Sequence, residues 1–515
     1  MTDKDVYHQG WFDKLGKISP TFCLAKWKQV TLHLQTGHKH SCHHPNTHKI
    51  DIEAIKKDPS ALHNTEFSME LRQQMLDGVR PPECGYCWKA EDTGSFSDRV
   101  YKSATRWAYP FFDEVVKKGS KENIFPSYLE VSFSNVCNFK CTYCAPNISS
   151  QWYQEVEQHG GFPLSFGVSG QDGNGWTYND MAALKAQDKM PIPHNQENPY
   201  VEAFWKWWPE LYRHLQTFRI TGGEPLLTKD TFKVLDSIIE DPIPNKNLRL
   251  EINSNLCVPD QLFDNFVTKL DKLVTDRCTG PITIFTSCEA KGERAEYIRT
   301  GLDYDKHLRS LKTLLDMFCK HKMRPHHYKD PARYNHVAYM CTFNALSVSS
   351  FKGFLEDIVD IRSSLEFSDE LLEHAQDICD HPENHLYETQ ERDNIRSLAG
   401  GQMYLATQAN TLDIPFLRFP SHLSIDILTD DFGHYFEECH QFMKDSPWFS
   451  DFEARKMERV WNVYKNNKTG NETKRRLRKQ FQQYVDQLDT RRNTKFLETF
   501  PEYTNFYDYC KDLPA

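Results

Sequence analysis

The 515-residue chain lacks any run of about 18 apolar residues, so the sequence offers no membrane span. Its opening decapeptide, MTDKDVYHQG, has no apolar signal core, which predicts a cytoplasmic location. Positive charge is not in excess. The 62 Lys and Arg stand against 72 Asp and Glu, giving −10, so no global field draws nucleic acid. No internal repeat is evident. Cysteines, in contrast, are plentiful: 15 of them, odd in number and dispersed. In a reducing compartment such cysteines read as metal ligands or catalytic groups rather than disulfides. Aromatics (33 Phe, 23 Tyr, 11 Trp) argue against wholesale disorder. The length suggests about three domains at roughly 100–200 residues each.

From Tyr128 onward, short apolar strands alternate with helices. Strands are predicted over 128–133, 218–221, 248–252, 282–287, 337–342 and, last, within 417–428. Such alternation implies parallel strands joined by crossover helices. The expected fold is α/β: a partial (β/α)6 TIM-like barrel, with a doubly wound open sheet as the alternative. The domain reading is a Cys-rich module over 1–110, the barrel over 120–430 and a helical C-terminal region over 431–515. Two insertions interrupt the barrel. Residues 158–198, rich in Gly, Asn, Gln and Pro, are expected to cap its mouth, and 361–412, strongly acidic, reads as a solvated face. The basic run Lys474–Arg478 reads as a solvated helix face. Trp205 and Trp208, three apart on one helix, read as packing against strands.

The densest chemistry follows the first of these strands: Cys137-Asn-Phe-Lys-Cys141-Thr-Tyr-Cys144. A [4Fe–4S] cube takes four thiolates, so three from one loop leave one iron open to chelate a ligand. In parallel α/β folds, ligands bind at the carboxyl ends of strands, where this loop begins. A zinc site built from Cys141/Cys144 and Cys84/Cys87 is the alternative. At the end of the next strand comes Thr221-Gly-Gly-Glu-Pro225. Its glycines let backbone approach a ligand closely, and Glu224 could accept from an ammonium. The alternative is a plain tight turn.

Together these motifs resemble the radical S-adenosylmethionine (SAM) enzymes: CxxxCxxC with Tyr143 before the last Cys, then Gly222-Gly223-Glu224-Pro225. The resemblance implies that Cys137, Cys141 and Cys144 hold a [4Fe–4S] cluster whose fourth iron is chelated by SAM. Reductive cleavage would give methionine and a 5′-deoxyadenosyl radical that abstracts hydrogen from substrate. An electron donor such as flavodoxin or ferredoxin is implied as a partner. Gly222, Gly223 and Glu224 would bind the SAM amino group. Ser254 and Asn255 match a polar pair facing SAM, although Leu256 stands where the family often has Gly. Ser287 begins Ser-Cys-Glu-Ala, in place of the family's Ser-x-Asp-Gly. Arg299 matches an Arg near the SAM carboxylate. Cys288 reads as a small buried hydrophobe.

Cys23, Cys42, Cys84 and Cys87 form a second set, with Trp27 and Gly37 between the first two. Four thiolates suit either [4Fe–4S] or structural zinc. The pattern resembles the twitch and SPASM auxiliary-cluster modules of the same family. The tail from Thr490 to Tyr503 resembles the ending of those relatives. A second [4Fe–4S] cluster is therefore expected. The alternative is zinc, with His40, His43 or His44 replacing one Cys. The histidine run from His38 to His48 otherwise reads as solvated surface.

The expected function is radical SAM chemistry on a peptide or protein. The alternatives are the same chemistry on a small molecule (a sugar, nucleoside or lipid head group) and a non-catalytic iron–sulfur or zinc scaffold. Neither a membrane nor nucleic acid is expected as a partner.

Overall fold

The computed structural model describes residues 3–165, 168–169, 175–176, 179–321, 335–382, 394–395 and 397–514. Parts of both predicted insertions therefore lie outside the described residues, including 170–174 of the segment expected to cap the barrel mouth. The chain forms two compact units. The first comprises residues 1–135, 188–252 and 277–280; the second comprises 136–187, 253–276 and 281–515.

In the first unit, β1 (Gln29–His33), β2 (His38–His40), β3 (His48–Lys49), β4 (Tyr128–Ser132), β8 (Thr217–Thr221) and β9 (Arg249–Asn253) form a sheet. Its order is β9-β8-β4-β1-β2-β3. β4, β8 and β9 run parallel, with Val131 opposite Ile220 and Ile220 opposite Ile252. These three side chains are fully buried. Each contributes about 1.5–3 kcal/mol by leaving water. The helix Lys229–Ile239 crosses from β8 to β9 and buries Val234, Leu235 and Ile238. The helix Pro199–His214 buries Phe204, Trp207, Trp208 and Leu211. Trp208 packs on Phe218 of β8 at 5.0 Å between ring centroids, so its packing role holds.

β1 was not foreseen. It pairs in parallel with β4, Val30 opposite Leu129. The N-terminal cysteine segment thus shares a sheet with β4, β8 and β9. The alternation of QVTLH is too short to stand out among its polar neighbours. The antiparallel β1–β2–β3 meander carries much of the histidine run, so that run is not simply solvated surface. His38 is buried and bonded to Thr36, and His40 stacks on His33 at 5.1 Å.

In the second unit, β10 (Ile282–Thr286), β12 (His336–Met340) and β13 (Asn410–Asp413) are parallel and adjacent. Two two-residue pairings and several helices also belong to it. β5 (Lys140–Cys141) pairs antiparallel with β11 (Arg299–Thr300), and β6 (Val168–Ser169) pairs with β7 (Gly175–Trp176). The last strand is β13, not a segment within 417–428, which forms short 3-10 turns. Pro415 and Pro420 withhold backbone donors there and oppose a ladder. β13 instead falls inside the predicted acidic insertion. That insertion is no mere solvated face: Leu371, Ala375 and Ile378 of one helix and Tyr404, Leu405 and Ala406 of the next are buried.

The architecture is thus α/β with parallel strands and many helices. No sheet closes on itself among the described residues, so a closed TIM-like barrel is not what the strands form.

β13 is fastened to the helix Asp451–Lys465 by a buried ion pair. Arg362 gives Nη2 to Glu453 at 2.7 Å and Nη1 to it at 3.1 Å, and also donates to the Asn410 and Trp448 carbonyls. Glu453 closes a capping box with Ser450 and accepts from Leu412 N. Removing one partner of such a pair strands the other charge. Arg362→Met should therefore cost about 3–5 kcal/mol. Urea denaturation followed by circular dichroism measures this; a loss under about 1 kcal/mol would contradict the assignment.

Candidate functional site

The loop after β4 is held by hydrogen bonds from several directions within the second unit. Cys137 N donates to Ser150 Oγ at 3.1 Å, and Phe139 N approaches Cys137 Sγ at 3.4 Å. Trp152 Nε1 donates to the Cys141 carbonyl at 2.7 Å, and Asn179 Nδ2 to the Cys144 carbonyl at 3.1 Å. Tyr484 hydroxyl donates to the Thr142 carbonyl. Gly301 has φ +107°, and a Cβ there would lie 2.5 Å from the Asn138 carbonyl oxygen. Only glycine lets the β11 turn pass so close to the cysteine loop.

Beside Cys141 sits a buried charge network. Arg299 pairs with Cys141 across β11 and β5. Its Nη2 and Nε donate to Glu289 Oε2 at 2.6 and 3.0 Å, and its Nη1 approaches Cys141 Sγ at 3.8 Å. Tyr143 hydroxyl donates to the other Glu289 oxygen at 3.0 Å. Burial alone would lower the Arg299 pKa, but Glu289, Tyr143 and Cys141 hold it well above the usual value. Burial pushes the Cys141 thiol up, against the pull of Arg299. Burial, with Cys141 next, pushes Cys144 up to about 12. Thiols so raised are not free nucleophiles near neutrality. A bound cation is what would draw them off as thiolates.

On the opposite side of the loop, Asn138 accepts from Asn255 Nδ2 at 2.8 Å and donates to the Cys257 carbonyl at 2.9 Å. Ser254 Oγ accepts from Leu256 N at 3.0 Å, and Asn255 Oδ1 from Cys257 N at 2.9 Å. Leu256 takes φ +61°, the left-handed turn that Gly would favour, and is fully buried. The departure from Gly has not removed the turn. Ser287 is half-buried at the end of β10, and Cys288 is buried, giving its thiol to the Ala290 carbonyl.

Gly222, in the first unit, has φ +125°, and a Cβ there would lie 2.7 Å from Ser132 Oγ and 2.8 Å from the Ser134 carbonyl. Gly223 N donates to that same carbonyl at 3.2 Å. Glu224 is buried, and its Oε1 accepts from Leu226 N at 3.0 Å, capping the Pro225–Leu227 turn.

The N-terminal cysteines converge within the first unit. Cys23, Cys42, Cys84 and Cys87 line one small cavity. Cys23, Cys84 and Cys87 belong to a core cluster with Phe22, Trp27 and Trp88. Lys26 and Arg99 also line the cavity. Lys26 pairs with Glu83, and Arg99 with Glu91 at 2.8 Å. Burial first, and the other thiols after it, raise Cys84 to about 12 and Cys87 to about 11. Burial and then Cys42 raise Cys23.

The sequence reading missed the groups that surround the loops. Arg492 donates to the Lys140 carbonyl at 2.8 Å and forks onto Glu155 at 3.1 Å through both Nε and Nη2. Its signal was present in the tail motif, without a role. Glu289 was visible only as a departure from Asp. Lys26 lay between Cys23 and Trp27 unremarked.

Comparison with known proteins finds no matching family model, no matching curated protein and no matching solved structure.

His307 joins the Asn255 turn to the strands. Its Nδ1 donates to the Asn255 carbonyl at 3.0 Å, so its Nε2 accepts from Tyr339 hydroxyl at 2.9 Å. Burial lowers its pKa from 6.5 to about 4. Below pH 6.5 the unfolded chain takes up a proton the folded chain refuses. His307 therefore contributes stability fully present above 6.5 and lost as pH falls toward about 4. His307→Gln should remove up to about 1.4 kcal/mol per pH unit from the acid-side slope, measured by urea denaturation at several pH values. An unchanged slope would contradict this.

Proposed function

We propose that this chain is a radical SAM enzyme with an auxiliary iron–sulfur cluster, acting on a peptide or protein. The observation that carries the reading is the cavity lined by four cysteines in the first unit, taken together with the CxxxCxxC spacing of Cys137, Cys141 and Cys144 and the Gly222-Gly223-Glu224 turn. We read the six parallel strands β4, β8, β9, β10, β12 and β13 as a partial (β/α)6 barrel.

Three thiolates on one loop leave one iron of a cube open to a ligand, and four thiolates suit either a cube or zinc. Cys137, Cys141 and Cys144 would hold the first cluster, and Cys23, Cys42, Cys84 and Cys87 the second. When bound, the first cluster and SAM would supply one-electron cleavage to a 5′-deoxyadenosyl radical.

The chain's own residues do the rest. Gly222 is required by the close approach of Ser132 Oγ and the Ser134 carbonyl, and on this reading Gly222 and Gly223 would bind the SAM amino group. Glu224, buried at the same turn, would face that group. Arg299 is engaged with Glu289 and Cys141, so its work on this reading is to offset thiolate charge. The carboxylate role implied for it by resemblance is the weaker one. Ser254, Asn255 and Ser287 remain the proposed polar lining for SAM. The same chemistry on a small molecule is the second reading.

Anaerobic reconstitution tests both clusters at once. About eight irons per chain are expected in the wild type and about four in Cys137/Cys141/Cys144→Ala, counted with sulfide and checked by Mössbauer spectroscopy. Cys141→Ala should lose reductive cleavage of SAM to methionine and 5′-deoxyadenosine. Full cleavage by that variant would overturn the site assignment.

A further inference from the structure

The histidine-rich turn before β3 contributes to a further constellation that neither cysteine set includes. We propose that His43, His44 and Asp98 bind a divalent transition-metal ion through two imidazoles and one carboxylate, beside the four cysteines whose cavity His44 and Asp98 also line.

One ligand atom from each residue lies within 4.8 Å of the others. His44 Nε2 is 2.8 Å from Asp98 Oδ2, and His43 Nε2 is 3.4 Å from the same oxygen. A nitrogen and oxygen set with open positions suits iron, zinc, nickel or cobalt, and differs from the soft thiolates beside it.

Each ligand is fixed from behind. The His44 ring stacks on Tyr86 at 3.8 Å and 14°, and Tyr86 lies between Cys84 and Cys87. The His43 ring packs on His44 at 4.1 Å. Asp98 opens the helix Asp98–Ser103, whose start is capped by Ser97. With its side chain 64% exposed, His43 leaves the site open to an incoming ion and to water or substrate as further ligands.

Lys102 sets the resting state. Its Nζ lies 3.0 Å from His43 Nδ1. An ammonium only donates, so Nδ1 accepts and the ring proton sits on Nε2, facing Asp98. A metal at Nε2 needs the other tautomer. Lys102 therefore competes with the ion, and its removal should tighten binding, which a chance cluster of surface histidines would not predict.

The test uses the full-length chain after anaerobic cluster loading, titrated with cobalt(II). The wild type should take up one cobalt per chain beyond its iron, with ligand-field absorption and no thiolate charge-transfer band. His43→Ala and Asp98→Asn should weaken binding at least about tenfold. Lys102→Met should strengthen it severalfold. Unchanged far-UV circular dichroism and iron content identify variants that have folded. Equal affinity in all variants, or cobalt seen only through thiolate charge transfer, overturns the proposal. The readout depends on nitrogen and oxygen ligation, so failure of the iron–sulfur reading, seen as missing iron, is distinguishable.

Discussion

The second unit depends on the buried contact between Arg299 and Glu289. Arg299 is 6% exposed and Glu289 is 1% exposed, and each brings a different element to Cys141. Glu289 follows β10, Arg299 opens β11, and Tyr143 of the cysteine loop reaches the same carboxylate. A charge pair this deep gains little net stability over apolar residues, yet losing one partner costs about 3–5 kcal/mol. Its consequence is geometric. The loop has one position relative to β10 and β11, because any other leaves a buried charge unpaired. Arg492 and Glu155 repeat the device, each 2% exposed at the side chain, with Arg492 bonded to Lys140 and Thr300 beside Cys141 and Arg299.

The same logic appears in the first unit with different residues. Lys26 and Arg99 stand against the wall of the four-cysteine cavity, each paired with a glutamate. Burial lowers the Lys26 pKa, but Cys84 and then Glu83 more than reverse it. Cysteines surrounded by apolar core resist ionisation, and a fixed cation makes a thiolate-rich centre tolerable without solvent. Each cysteine set therefore has a buried cation beside it that is itself paired with a glutamate.

Legibility followed chain proximity. Strand positions β4, β8, β9, β10 and β12 could be read from local alternation, because each carries its own apolar residues. β1 and β13 could not. β1 is five residues among polar neighbours, and β13, NTLD, has a single large apolar side chain and owes its place to Arg362, Glu453 and β12. The cysteine motifs were readable because their spacing is local. Their supports were not, since Arg492 and Glu155 are 337 residues apart and Tyr143 and Glu289 are 146 apart. Sequence spacing marks candidate ligands; it does not identify what holds them.

Leu256 shows how a departure from a motif is absorbed. A left-handed φ costs a branched or bulky residue about 1–2 kcal/mol, so the turn must be held from outside. It is held three ways: Ser254 Oγ on Leu256 N, Asn255 Oδ1 on Cys257 N, and His307 Nδ1 on the Asn255 carbonyl. The Leu256 side chain, fully buried, returns part of the cost as apolar burial. His307 in turn is fixed by Tyr339 of β12, so the strain at Leu256 is carried by the parallel strands rather than by the turn. The polar pair Ser254–Asn255 is thereby kept beside Asn138 of the cysteine loop, with Leu256 in the left-handed position that Gly would favour.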